Sequence, residues 1–139
     1  MTNRRKTREL TMQVLFLWDS EGQADRDPAE QLLEDGSPDP ETRRTAMEWA
    51  GKVWGQRVAI DARTDRAAPQ WPVRRQPGVD RALIRLAVWE LTAGETPPKV
   101  AIDEAIELAH DFGTAQSAAF INGVVDAIYK ENLALTGAG

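Results

Sequence analysis

The chain contains no cysteine and a single histidine, His110. The first absence removes disulfides, thiolate catalysis and Cys-based zinc sites, and it gives no sign of secretion. The second leaves no histidine pair for a metal. His110 falls late in a helical pattern, where a cation suits the helix dipole, so a surface position is expected for it. No apolar run approaches the roughly 20 residues that cross a bilayer, and no signal-peptide pattern is present. A cytoplasmic protein with no membrane contact is the expectation. The phosphate-binding G-x-x-x-x-G-K-S/T pattern is missing, as is G-x-G-x-x-G after a strand. Asp103, Glu104 and Glu107 recur at helical spacing and read as a solvated face, with nothing to pair them for acid–base work. The chain therefore reads as a non-enzyme with no cofactor and no metal.

What is present is an ordinary globular composition. The 139 residues are 42 % apolar and 28 % charged. That length fits one compact domain with a real core. Asp and Glu number 22 against 17 Lys and Arg, for a net charge of −5. Yet Arg4, Arg5, Lys6 and Arg8 gather in the first eight residues with no acid among them. Overall acidity argues against non-specific coating of nucleic acid, so any such binding needs a local patch. The N-terminal cluster is the candidate, and a nucleic-acid backbone is the anion it fits best.

The hydrophobic period is helical nearly everywhere. Leu10, Val14 and Leu17 form one stripe, widened by Leu15 and Trp18. Phe16 falls off that stripe, which favours an exposed position. Residues 21–40 are rich in turn formers and leave room for a short helix beginning near Pro28. From Glu41 to about Ala67 the stripe is Ala46, Trp49, Ala50, Val53 and Ile60. Gly51 and Gly55 interrupt it, and a bend or a close helix contact is expected there.

The stretch "APQWPVRRQPGV" holds Pro69, Pro72 and Pro77. No helix is expected to run through it, since each proline lacks a donor and restricts its predecessor. It reads as the hinge between helical subdomains at about 1–67 and 79–134 of a single domain, 1–139. Arg74 and Arg75 within it read as solvated loop charges. Beyond it, Leu83, Ala87 and Leu91 repeat, flanked by Ile84 and Val88. The next helix carries Ala101, Ala105, Leu108, Ala109 and Phe112 with Ile102 and Ile106, a face broad enough to be central. Gly113 suits a left-handed position after it, and Thr114 or Ser117 suits the cap of the final helix. That helix carries Ile121, Val124, Val125 and Ile128, with Phe120 on the same face as Val124 and Ile128. Asn122-Gly123 is a hairpin signal, but the apolar stripe passes through it unshifted. A helix is expected there, with Gly123 at a close helix approach. No strand ladder is legible. The fold class is all-α, with about six to seven helices in two packed small bundles.

The start "RRKTRELTMQVLF", the segment "WPVRRQPGVDRALIRLAVWEL" and the segment "PPKVAIDEAIELAHDFGTAQSAAFINGVVDAI" together resemble the NusB family of bacterial transcription antitermination factors. The match is poor only across roughly 21–67. The resemblance implies an all-helical fold of two small bundles. It implies pairing with the ribosomal small-subunit protein NusE. It also implies binding of single-stranded boxA RNA in ribosomal RNA leaders, within the antitermination complex of RNA polymerase. On the same basis the RNA surface comprises Arg4, Arg5, Lys6 and Arg8, with Gln116, Ser117 and Phe120 at the start of the last helix. The partner surface comprises Phe16 and Asp80. Two departures stand out. Ala118 and Ala119 occupy a place where many relatives carry lysine, and Gln116 replaces a usual acid. Single-stranded RNA is held by cations on its backbone and flat side chains under its bases. Phe120 is therefore read both as core edge and as a base contact. Two alternatives remain: an RNA-binding domain related to that of rRNA methyltransferases, and a stand-alone protein-interaction module.

Overall fold

The computed structural model describes residues 3–136, and among them are seven α-helices, one 3₁₀ turn and no strand. The chain divides into two compact units, one ending at Gln56 and the other beginning at Arg57.

The first unit holds α1 (Arg4–Glu21), α2 (Arg26–Gly36) and α3 (Pro40–Gly55). Asn3 opens α1, its side chain accepting the Lys6 N–H at 3.1 Å. Gly22 closes it at φ 78°, donating its N–H to the Trp18 carbonyl. That left-handed φ is the one glycine adopts without strain. The core is Leu10, Val14, Leu15 and Trp18 of α1, with Ala29 and Leu33 of α2 and Ala46, Trp49, Ala50 and Val53 of α3. Gly36 ends α2 against Leu10, whose side chain leaves no room for a Cβ. Asp39 and Pro40 start α3, the carboxylate accepting the N–H groups of Glu41 and Thr42. Gly51 and Gly55 meet no neighbour within 4 Å, so neither marks a helix contact. The helical pattern from 41 to 67 instead breaks at Gln56.

The second unit holds α4 (Arg57–Ala67), the 3₁₀ turn Val73–Arg75, α5 (Gly78–Ala93), α6 (Pro98–Phe112) and α7 (Ser117–Thr136). The centre is α5 rather than α6. An unbroken run, Ala82–Glu90, is buried on α5, whereas α6 buries Ala101, Ile102, Ala105, Leu108 and Ala109. Phe112, expected on the inner face of α6, is exposed. A helix packed by neighbours on several sides needs no polar stripe, so its period fades. Arg85 of α5 binds Asp61 of α4 through two bonds, 2.9 and 2.6 Å.

The proline-rich loop lies inside this unit and does not divide the two. Asp65 accepts the Val73 N–H at 2.9 Å, and Arg81 donates to the carbonyls of Val73 and Gln76 at 3.0 and 2.8 Å. Gly113 is extended (φ −94°), not left-handed. Its role is space: a Cβ there would lie 2.6 Å from Ser117 Oγ and 2.8 Å from the Ala109 carbonyl. Gly123 shows the reverse. Nothing lies within 4 Å of it, so no helix approaches there.

Candidate nucleic-acid interface

In the first unit the cationic cluster occupies the first turns of α1, and it is not uniform. Arg4 and Arg5 are exposed. Lys6 is half-buried and pairs with Glu9 at 2.6 Å. Arg8 is only 6 % exposed. Its guanidinium lies 5.9 Å from the centre of the Trp49 ring, and that of Arg4 lies 5.1 Å from it. A cation is attracted to the negative face of an indole. Arg8 is therefore a buried packing element, which corrects its reading as a surface cation. The first turn of α1 holds no acid. Phe16, on the same helix, is 41 % exposed, as its place off the apolar stripe requires.

In the second unit the site is a cavity of about 450 Å³. Trp71, Pro72 and Pro77 come from the proline-rich loop, and Gln116 and Phe120 from the start of α7. Trp71 and Phe120 meet edge to face with ring centres 6.1 Å apart. Phe120 is half-buried, between its two readings. Gln116 is exposed at the cavity.

Ser117 is buried, and its hydroxyl accepts the Thr114 N–H at 2.9 Å. It fixes the turn into α7 rather than facing outward. Asp80, which the resemblance assigns to the partner surface, is 4 % exposed and is among the residues lining the cavity. A charge substitution at Asp80 therefore disturbs packing as well as any surface.

Three residues escaped the sequence reading as parts of a site: Trp49, Trp71 and Gln76. Trp49 looked like plain core. Trp71 carried a usable signal, a large aromatic among prolines with no apolar stripe to join. It is 57 % exposed. His110 is exposed as expected.

Residues 5–130 match the sequence model of the NusB family. The transcription antitermination protein NusB of Solibacter usitatus is 38 % identical over 133 residues, covering 94 % of this chain and 91 % of that protein. The protein of the same name from Chloroflexus aggregans is 35 % identical, covering 96 % and 91 %. Among solved structures, T. maritima NusB superposes with a TM-score of 0.80 at 34 % identity, over 94 % of each chain. A structure of antitermination factors NusB and NusE in complex with dsRNA gives 0.82 at 22 % identity, covering 92 % of this chain and 96 % of that one, and speaks to fold alone. With the all-helical fold and a match across nearly its whole length, the chain belongs to the NusB family.

Proposed function

We propose that this protein is a transcription antitermination factor that binds boxA-type single-stranded RNA of ribosomal RNA leaders together with NusE. It catalyses nothing and acts in the cytoplasm, within the antitermination complex of RNA polymerase. The observation that carries this reading is the charge at the start of α1. Arg4, Arg5 and Lys6 crowd a helical turn that holds no acid, in a chain of net charge −5. The positive end of the helix dipole lies there too, so this turn attracts an anion such as a phosphate backbone even with Lys6 paired to Glu9. The antitermination proteins among its relatives support the role, and NusE and RNA are what a NusB of the same fold is found with. The exposed Phe16 offers an apolar contact for the protein partner. The test is a titration with a boxA-like RNA, with and without NusE. Binding that tightens when NusE is added supports the proposal. No RNA binding under either condition sinks it.

A further inference from the structure

Four cations open α1, and the fold holds them in different ways. Lys6 pairs with Glu9 at 2.6 Å, and a carboxylate cancels the charge that it holds. Arg8 is buried, whereas Arg5 is exposed. Arg4 is exposed too, yet its guanidinium lies 5.1 Å from the centre of the Trp49 ring on α3. Among the described residues the Arg4 side chain makes no hydrogen bond and no ion pair, so the indole is what orients it.

Arg4 and Arg8 stand four residues apart on one helix, so their charges face the same way and repel. Both guanidinium groups nonetheless lie against the same indole, that of Arg8 at 5.9 Å. The negative face of an indole attracts a cation without neutralising it. A carboxylate in that place would also hold an arginine, but it would remove the charge that draws a phosphate. A ring accepts none of the conventional hydrogen bonds of the planar fork, so the five N–H donors remain for an anion. Trp49 itself is 6 % exposed and belongs to the core of the first unit. It is a fixed anchor, because a close-packed interior does not follow a surface side chain outward. An arginine held on a fixed anchor loses less rotamer freedom on binding than one that swings in solvent.

We propose that Trp49 is a positioning residue for RNA binding: it holds Arg4 oriented, fully charged and with its donors free where a phosphate of the strand is bound. The inference rests on the RNA-binding reading above and extends it to a core residue that touches no RNA itself. It also gives the first turn of α1 a chemical preference beyond its charge. An oriented guanidinium offers two parallel N–H bonds to two phosphate oxygens. A lysine at position 4 would supply a point charge alone.

The experiment is a double-mutant cycle on affinity for a boxA-like RNA, made in the full chain with Trp49→Leu and Arg4→Ala. Trp49→Leu should weaken binding about three- to tenfold, the range set by ordering one long side chain. In the Arg4→Ala background the same substitution should have no effect. Trp49→Phe keeps an aromatic face and should recover most of the loss. An equal loss from Trp49→Leu in both backgrounds overturns the proposal, because Trp49 then acts through packing or through Arg8. Trp49→Leu also removes part of a core, so a measurement on the unsubstituted protein accompanies it. By NMR, the Arg4 Hδ protons should carry an upfield ring-current shift and keep it when RNA is added. The Arg4 Nε–H should move downfield as it meets phosphate. Loss of the ring-current shift on RNA binding shows that Arg4 leaves the indole, and it overturns the proposal as well. Failure of the parent to bind RNA is a different result and removes the broader reading. Tripolyphosphate titrated onto the same resonances then decides the anchor alone: a moving Nε–H with the Hδ shift kept supports it, and an unmoved Nε–H ends it.

Discussion

The Arg8 guanidinium lies 5.9 Å from the centre of the Trp49 ring, and both residues are buried. This pair ties α1 to α3 with a charge rather than a hydrocarbon. A largely desolvated cation–π contact contributes up to about 2 kcal/mol, and the arginine stem adds apolar packing. Arg8→Ala should therefore lower stability by about 1–2 kcal/mol in urea denaturation. Arg8→Lys should recover little, because an ammonium lacks the flat face that stacks on indole. An unchanged midpoint for Arg8→Ala would return Arg8 to the surface cluster.

Asp39 gives the first unit a pH dependence. The Thr42 hydroxyl donates to its Oδ2 at 2.6 Å. That bond first, with the N–H groups of Glu41 and Thr42 adding to it, holds the carboxyl below its ordinary 3.8. A carboxyl lowered by folding adds stability that is fully present above its unfolded value. That stability is lost as pH falls through the folded value. Stability curves of the parent and Asp39→Ala should thus run parallel near neutrality and converge in acid, below 3.8. A gap that stays constant down to the lowest pH would show that the cap acts without its charge.

Gly113 and Gly123 make a matched pair with opposite expectations. A Cβ at Gly113 would crowd Ser117 and the Ala109 carbonyl, one of them rigid backbone. Gly113→Ala should cost about 1–3 kcal/mol. Gly123 stands within α7 with open space around it. Gly123→Ala should stabilise by about 1 kcal/mol through helix propensity alone. Thermal melts of the two variants moving in the same direction would contradict this account.

The stripes themselves were readable. Ala46, Trp49, Ala50 and Val53 are buried as their spacing requires, and so are Ile121, Val124, Val125 and Ile128. Phe16 is exposed for the same reason read in reverse. Gly123 and Gly113 were assigned the wrong cause, since a glycine in sequence does not say whether it supplies space or merely tolerates it. Asp80 was misplaced because its burial depends on where residues 71–77 lie, and a proline-rich loop has no period. The hinge reading failed for a related reason. Bonds from Asp65 and Arg81 tie that loop down, and such bonds join residues whose spacing carries no pattern. The cavity was therefore hidden, although Phe120 and Gln116 at its wall were named from the family resemblance.

The charge at the start of α1 leads to a salt experiment. A protein that neutralises phosphates on a single strand releases counterions, with a log–log salt slope of about −0.7 per phosphate. Arg8 is buried, so the exposed Arg4 and Arg5 and the half-buried Lys6 remain as the phosphate-facing candidates, for a slope near about −2. Replacing all three by Ala should remove roughly that slope and weaken every RNA to a similar degree, because phosphate contacts carry no sequence information. The contrast with the cavity is diagnostic. Phe120→Ala should cost about 1–3 kcal/mol of binding where a base stacks on it, at nearly constant slope. Its stability must be measured alongside, since truncating a packed Phe costs about 3–5 kcal/mol when fully buried and Phe120 is half-buried. A triple variant that binds with the parent's affinity and slope would make the cluster a solvated helix end, and RNA binding would lose its electrostatic basis in this unit.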